Sequence, residues 1–189
     1  MIDKLKLEKV VFLDRDGVIN RDSPDYIKNW SEFEFLPGSL DALRHLSANQ
    51  LAVIVITNQS AINRRLISEA ELEYMHRMME KQVRAHGGRI NDIFYCPHTP
   101  EDGCNCRKPK PGLIYRARDS YQIDLARSVM IGDRVRDIEC GRNAGCGQTI
   151  LVRTRYGTAA DKKLFPKKAI VDYIADDLYD AAQWITSGH

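Results

Sequence analysis

The chain has 189 residues, of which 43% are hydrophobic and 29% charged, and this balance predicts one globular domain over residues 1–189. The net charge of +2 is too small to indicate a nucleic-acid or membrane-surface partner. The first ten residues lack the apolar block of a signal peptide, and the longest aliphatic run, Leu51 to Ile56, is far shorter than the ~18 residues of a membrane helix. We therefore expect a soluble, cytoplasmic monomer.

Short β-rich runs alternate with helical patterns along the whole chain. Strands are predicted at 10–13, 51–56, 91–95, 128–131, 148–152 and about 170–174. Helices are predicted at 39–48, 68–86, 111–121, 135–144 and 176–186. Such alternation predicts an α/β fold in which helices sandwich a parallel sheet.

The helix predicted at 68–86 has the clearest boundaries. Ser68 and Glu71 have the spacing of a capping box. Apolar side chains then recur at helical intervals from Leu72 to Val83, and Gly87 and Gly88 end the pattern. The methionines in this stripe are expected to be core residues.

Polar side chains follow several of the predicted strands. Asp14 and Asp16 follow the first strand, Thr57 follows the second, and Asp133 follows the fourth, while Lys108 lies in a loop. In parallel sheets of this class, ligands bind beyond the carboxyl ends of the strands. Any one of these features could be ordinary surface polarity, but together they predict one shared active site.

The residue types at this predicted site indicate phosphoryl transfer. Asp14 and Asp133 offer the hard oxygen ligands that Mg²⁺ prefers, and Asp14 could attack phosphorus to give an aspartyl-phosphate. Asp16 could donate a proton to the leaving alkoxide, for which a neighbouring carboxylate should raise its pKa. Thr57 and Lys108 could hold the phosphoryl oxygens.

Four motifs in order, "DRDG" from Asp14, "TNQS" from Thr57, "RKPKPG" from Arg107 and "GDRVRD" from Gly132, resemble the haloacid-dehalogenase (HAD) phosphatase superfamily. The sequence is most similar to the D,D-heptose 1,7-bisphosphate 7-phosphatase family and its sister, the histidinol-phosphate phosphatases, over residues 10–154.

The resemblance implies a Rossmann-like (HAD-type) sheet with short loop inserts. It implies that Asp14 is the nucleophile, that Asp16 is the acid/base, and that Thr57 and Lys108 stabilise the phosphoryl group. The Mg²⁺ ligands it implies are the side chains of Asp14 and Asp133 and the backbone carbonyl of Asp16.

A cysteine-rich segment reads "CPHTPEDGCNC" and places Cys96, His98, Cys104 and Cys106 within eleven residues. Three thiolates and an imidazole fit a tetrahedral Zn²⁺ site with no open position, which predicts a structural role. The alternative is a set of free thiols on a surface loop. The zinc loop is expected to order the residues it leads into, Arg107 and Lys108.

The spacing between motifs leaves no room for a separate cap domain. Three loops, 21–33, 61–67 and 96–106, should form the lid over a phosphorylated sugar. The predicted substrate-binding residues are Asp22, Asp25, Asn58, Gln59, Ser60, Arg107 and Arg134. Arg64 is either a further phosphate ligand or an ordinary surface arginine.

Two departures from the heptose branch make the substrate harder to predict than the chemistry. Ala61 and Arg65 stand where that branch usually has glycines, and Arg134 stands where lysine is common. A histidinol-phosphate or other small-molecule phosphatase is the first alternative, and a non-catalytic zinc-stabilised binding module is the second. Asp137 either steadies the waters of the metal or is an ordinary first-turn acid.

Overall fold

Six parallel strands form one sheet in the computed structural model, which describes residues 7–154 and 171–188. The strands are β1 (Val10–Leu13), β2 (Ala52–Asn58), β3 (Asp92–Cys96), β4 (Val129–Gly132), β5 (Gln148–Val152) and β6 (Tyr173–Ala175). Their order across the sheet is β3-β2-β1-β4-β5-β6, and every neighbouring pair is parallel. The predicted α/β architecture is confirmed.

Five α-helices connect and cover the strands. They are α1 (Ser39–Ala48), α2 (Glu69–Ala85), α3 (Gly112–Tyr121), α4 (Val135–Ala144) and α5 (Leu178–Thr186). Element boundaries lie within two residues of the predictions, except that β6 begins three residues late, and residue 170 lies outside the described part of the chain. Among the helices that the structure describes, none is long and apolar enough to cross a membrane.

The central strand β1 shows how the sheet separates two cores. Val11 and Leu13 pack into the core formed with α1, α2 and α5. Val10 and Phe12 pack on the opposite face, in the core formed with α3 and α4. All four side chains are fully buried, because alternate residues of a strand point to opposite faces and both faces carry helices.

The start of α2 follows the prediction closely. The Ser68 hydroxyl accepts a hydrogen bond from the Glu71 N–H (3.2 Å), and the Glu71 carboxylate accepts one from the Ser68 N–H (2.8 Å). This capping box satisfies backbone donors that have no partner within the helix. Met75 and Met79 are fully buried, which confirms their role in the core.

The strand order reverses direction at β1, since the chain adds β2 and β3 on one side and β4 to β6 on the other. The carboxyl ends of β1 and β4 therefore lie side by side, and the Asp14 N–H donates to the Ile131 carbonyl (3.0 Å). Such a switch point opens a crevice beyond the strand ends, where ligands bind in open α/β sheets.

We predict that Gly141→Ala destabilises the fold, although alanine is ordinarily favoured over glycine inside a helix by about 1 kcal/mol. Gly141 lies where α4 crosses β4, and a Cβ there would stand 2.6 Å from the Cβ of Met130 and 3.0 Å from Cγ2 of Thr149. The Met130 Cβ is fixed to the backbone and cannot rotate away, so overpacking should lower the free energy of unfolding by about 1–2 kcal/mol. Urea denaturation measures the change.

Glu139→Ala is the matched control for this measurement, because Glu139 is exposed on the same helix. We expect it to change the free energy of unfolding by less than about 0.5 kcal/mol. A Gly141→Ala protein as stable as the wild type would show that α4 does not pack on β4 this closely.

Candidate active site

Three carboxylates and one ammonium group meet at the ends of β1 and β4. Asp14 follows β1, Asp133 follows β4, and Asp137 lies in the first turn of α4. The Lys108 Nζ stands 2.9 Å from Asp14 Oδ1 and 2.8 Å from Asp137 Oδ1. All four side chains are buried, and the three aspartates each offer an oxygen within 4.8 Å of the others.

This cluster carries more negative than positive charge. Burial raises the pKa of Asp14 to about 6, although the Lys108 charge opposes the shift. Burial, followed by the charges of Asp137 and Asp14, raises the pKa of Asp133 to about 8. Burial lowers the pKa of Lys108, but the charges of Asp137 and Asp14 raise it overall. A further positive charge would relieve the repulsion among the carboxylates.

Asp133 is the carboxylate in the cluster whose negative charge is least compensated by hydrogen-bond donors or cations. Its side chain is 1% exposed, and neither carboxylate oxygen has a hydrogen-bond partner among the residues that the structure describes. Its nearest cation, Arg134 Nε, is 3.8 Å away. Buried carboxylates without donors are costly unless a cation binds them. The oxygen-only donor set therefore fits a hard divalent cation such as Mg²⁺.

The loop after β1 comes close enough to Asp133 to require a glycine. Gly17 has φ +88°, and a Cβ at this position would lie 2.3 Å from Asp133 Oδ2. The Gly17 carbonyl accepts a hydrogen bond from the Thr154 hydroxyl. Gly17 thus allows the "DRDG" loop to lie directly over the carboxylate.

Asp16 accepts hydrogen bonds on both carboxylate oxygens. Arg15 donates from Nε (3.1 Å) and Nη2 (2.9 Å) to Oδ1, with Nη2 also 3.0 Å from Oδ2. Asn20 Nδ2 donates to Oδ1 (2.9 Å) and Gln59 Nε2 to Oδ2 (2.7 Å).

The pKa of Asp16 is lowered, which corrects the expectation that a neighbouring carboxylate raises it. Burial alone would raise this pKa, but the Arg15 charge and the hydrogen bonds from Asn20, Arg15 and Gln59 lower it overall. The expectation was wrong because it counted only the neighbouring acids. The side chain of Arg15 folds back onto the carboxylate that follows it.

The residues of the "TNQS" segment mainly position other groups. Gln59 Nε2 donates to Thr57 Oγ1 (3.0 Å) as well as to Asp16. Asn58 exchanges two hydrogen bonds with the backbone of Lys108: its Oδ1 accepts from the Lys108 N–H (3.1 Å) and its Nδ2 donates to the Lys108 carbonyl (3.3 Å). These bonds join the end of β2 to the loop that delivers Lys108.

A cavity of about 290 Å³ reaches this cluster at Asp14, while Asp133, Asp137 and Lys108 are not part of its described lining. Asp14, Asp16 and Thr57 lie in its wall. The predicted substrate-binding residues that line it are Asp22, Asn58, Gln59, Ser60, Arg107 and Arg134. The cavity is large enough for a small phosphorylated molecule.

Two candidates lie away from this cavity. Asp25 is exposed and does not line it, and its N–H donates to Ser23 Oγ (3.2 Å). Arg64 is also exposed and outside the lining, which favours the surface-arginine alternative. Of the three predicted lid loops, only 21–33 contributes to the described lining, and neither 61–67 nor 96–106 does, although Arg107 follows the latter directly.

Three arginines line the cavity, and they differ in their hydrogen-bond partners. Arg134 Nη2 contacts Asp22 Oδ2 at 2.6 Å, and Arg107 Nη1 donates to the His98 carbonyl (2.9 Å). Arg136 Nε is buried and has no hydrogen-bond partner in the described part of the chain. Burial, followed by the charge of Arg136, lowers the pKa of Arg107. Because the charge of Arg136 acts on Arg107, an anion beside both guanidinium groups would be favoured.

Cys96, His98, Cys104 and Cys106 converge as the sequence predicts. The three sulfur–sulfur distances are 3.2, 3.4 and 3.7 Å, and His98 Nδ1 lies 3.3 Å from Cys106 Sγ and 3.6 Å from Cys96 Sγ. Zinc–sulfur bonds of ~2.3 Å at tetrahedral angles would set the sulfurs about 3.8 Å apart. The four groups therefore fit one Zn²⁺ ion.

Sequence reasoning missed Arg15, Asn20 and Arg136. Arg15 had a usable signal, since a charged side chain between two site aspartates must find a partner when the strand end is buried. Asn20 and Arg136 had none, because their roles depend on which loops the fold brings together.

Known proteins resemble this chain over most of its length. A HAD-hydrolase-like family model matches residues 105–181. The D-glycero-β-D-manno-heptose-1,7-bisphosphate 7-phosphatase of Pseudomonas aeruginosa is 43% identical over 169 residues, which cover 89% of this chain and 93% of the relative. The enzyme of the same name from Escherichia coli K12 is 37% identical over 183 residues, which cover 93% of this chain and 92% of the relative.

A solved structure is also similar to this one. The D,D-heptose 1,7-bisphosphate phosphatase from B. bronchiseptica, crystallised with magnesium and phosphate, matches with a TM-score of 0.85 and 34% identity, covering 97% of this chain and 100% of the other. The order of the motifs, the switch-point carboxylates and these likenesses agree. The chain belongs to the HAD-like hydrolases and, within them, to the family of the D-glycero-β-D-manno-heptose-1,7-bisphosphate 7-phosphatases.

Proposed function

We propose that this chain is a Mg²⁺-dependent phosphatase that removes the 7-phosphate of D-glycero-D-manno-heptose 1,7-bisphosphate. The observation that carries the proposal is the buried carboxylate of Asp133, which has no hydrogen-bond partner among the described residues, beside Asp14 and Lys108 at the switch point. The names of the relatives support the substrate. Phosphate release from this bisphosphate, compared with release from histidinol phosphate and 3′-phosphorylated DNA, tests it.

Asp14, Asp133 and the backbone carbonyl of Asp16 would hold Mg²⁺. Bound there, the ion would neutralise charge on the phosphoryl group and orient it towards Asp14. The magnesium and phosphate in the related B. bronchiseptica structure support this assignment.

Asp14 is oriented to act as the nucleophile. Its Oδ1 accepts from the Arg15 N–H (2.7 Å) and faces Lys108 Nζ (2.9 Å), which leaves Oδ2 to attack phosphorus. An Oδ2–P bond forms as the bond to the sugar oxygen breaks, and that oxygen takes a proton from Asp16. Lys108 and Thr57 stabilise the phosphoryl oxygens. Water, losing its proton to Asp16, then hydrolyses the aspartyl-phosphate and restores Asp14.

Asp16 must change protonation state during this cycle. Its lowered pKa suits the second step, in which an ionised carboxylate takes a proton from water. Donation in the first step requires a higher pKa. A phosphate dianion bound beside Asp16 would raise it, since like charges disfavour the ionised form.

The remaining phosphate of the substrate would lie between Arg107 and Arg136. Arg136 Nε has no described partner, and both residues line the cavity. Arg134 and Asp22 satisfy each other at 2.6 Å and would form the rim beside this pair. Guanidinium groups suit phosphate because they donate in a planar fork.

Zn²⁺ would be structural and would order the loop that presents these groups. The His98 carbonyl accepts from Arg107, and the Gly103 and Cys104 carbonyls accept from Lys110 Nζ (2.9 and 2.8 Å). Four protein ligands leave no position for substrate, so the ion would act through the geometry of Arg107 and Lys108.

We predict that Asp14→Asn abolishes phosphate release, because the amide keeps the shape and lacks the charged nucleophilic oxygen. Activity on the heptose bisphosphate should fall below a few per cent of wild type. Asp25→Asn is the matched control, since Asp25 is exposed and outside the cavity, and it should retain full activity. An active Asp14→Asn enzyme would rule out Asp14 as nucleophile.

We predict that Arg136→Ala weakens binding only when the substrate carries a second phosphate. KM for the heptose 1,7-bisphosphate should rise about tenfold or more, while KM for the 7-monophosphate should change little. Arg64→Ala, which removes an exposed arginine outside the cavity, is the control. Equal losses on both substrates would place Arg136 away from the second phosphate.

We predict that Cys104→Ser removes the zinc and leaves the sheet folded, since Cys104 is only partly buried and packs at the margin of the core that holds Cys96. Elemental analysis should find one Zn²⁺ per chain in the wild type and much less in the variant. Activity should fall at least tenfold as Arg107 and Lys108 lose their support. Cys146→Ala, at a buried cysteine outside the loop, should keep its zinc. A fully active wild-type protein without zinc would contradict this role.

A further inference from the structure

We propose that Arg15 and His76 form a positioning relay that orients the carboxyl group of Asp16 for proton transfer. The inference rests on the proposed phosphatase function, because it concerns the step that Asp16 performs. The proposed reaction mechanism does not itself require either residue. His76 lies on α2, 61 positions after Arg15.

Arg15 is the centre of the contacts around Asp16. Its side chain is 1% exposed, and its Nε and Nη2 form a fork on the Asp16 carboxylate at 2.9–3.1 Å. Nη2 also donates to Gln59 Oε1 (3.2 Å). The guanidinium carbon lies 5.9 Å from the centre of the Phe33 ring. The fork sets both the distance and the plane of the carboxylate.

His76 holds the other end of this guanidinium. Its Nε2 lies 3.2 Å from Arg15 Nη1, and His76 is 7% exposed. A guanidinium can only donate, so His76 must accept at Nε2 and carry its proton on Nδ1. Burial, followed by the Arg15 charge, lowers the pKa of His76 to about 3, which agrees with a neutral acceptor.

His76 therefore differs from the apolar stripe around it. Met75 and Met79 on the same helix serve the core, whereas His76 gives the guanidinium an acceptor that no apolar side chain provides. Without this acceptor, Arg15 Nη1 would lose a buried partner, and the fork on Asp16 would lose its fixed orientation.

The test compares His76→Gln with His76→Met. The two replacements have similar length and volume, but the glutamine Oε1 is a good acceptor for Arg15, whereas the methionine sulfur is only a weak one. With the sugar phosphate, whose alkoxide needs a proton, His76→Met should lower kcat about tenfold with KM unchanged, and His76→Gln should lose less than about threefold. With p-nitrophenyl phosphate, whose leaving group barely needs a proton, both should stay within about twofold of wild type.

Asp16→Asn is the reference variant, because it removes the general acid entirely. Its kcat on the sugar phosphate should fall about 10²–10⁴-fold. Met79→Leu, one turn along α2, is the structural control and should leave both substrates unaffected. Equal losses on both substrates, or a His76→Met enzyme as active as the wild type, would overturn the relay. A wild-type protein that hydrolyses neither substrate would refute the phosphatase proposal instead.

A measurement on the wild-type protein keeps the inference testable if the variants do not fold. In the ¹⁵N NMR spectrum of histidine-labelled protein, the His76 ring should be the neutral tautomer with its proton on Nδ1 between pH 6 and 8. A proton on Nε2, or a charged ring, would be incompatible with acceptance from Arg15 and would exclude the relay.

Discussion

The burial of several carboxylates beside a single lysine is the constraint on which the rest of the site depends. Asp14, Asp133 and Asp137 lie out of water around Lys108, where uncompensated charge is costly. Lys108 neutralises part of this charge, and Asp133 is left without a donor among the described residues. A fold does not keep such an arrangement for stability alone. The same excess of negative charge that would destabilise a core is what binds a divalent cation and, through it, a phosphoryl group.

Several loops must meet for this cluster to form, and each is held by contacts outside the chemistry. Asn58 ties the Lys108 backbone to the end of β2. Gly17 lets the loop after β1 lie against Asp133. The zinc loop supports Arg107 through the His98 carbonyl. Short loops thus bring the charged groups of the site together in the described part of the chain, and under the proposed function they would also present cations to the substrate.

Asp16 shows why the residue type of an acid does not define its protonation state. Burial would favour its neutral form, yet the charge of Arg15 and the amide donors of Asn20 and Gln59 lower its pKa overall. In the proposed mechanism, proton donation would depend on the arrival of a phosphate dianion, which would raise the pKa of Asp16. The proton would be taken up when substrate is bound, and the orientation set by Arg15 would be ready before that moment.

The sequence by itself predicted the elements, the phosphatase family and the four Cys and His residues that converge, because each depends on local patterns. Apolar periodicity placed the strands and helices, the strand-end rule selected Asp14 and Asp133, and the four zinc ligands lie within eleven residues. Only the tertiary structure decided that β1 pairs with β4, that His76 reaches Arg15, and that Asp25 points outward. These features depend on which distant segments pack together, and local periodicity does not specify such long-range contacts.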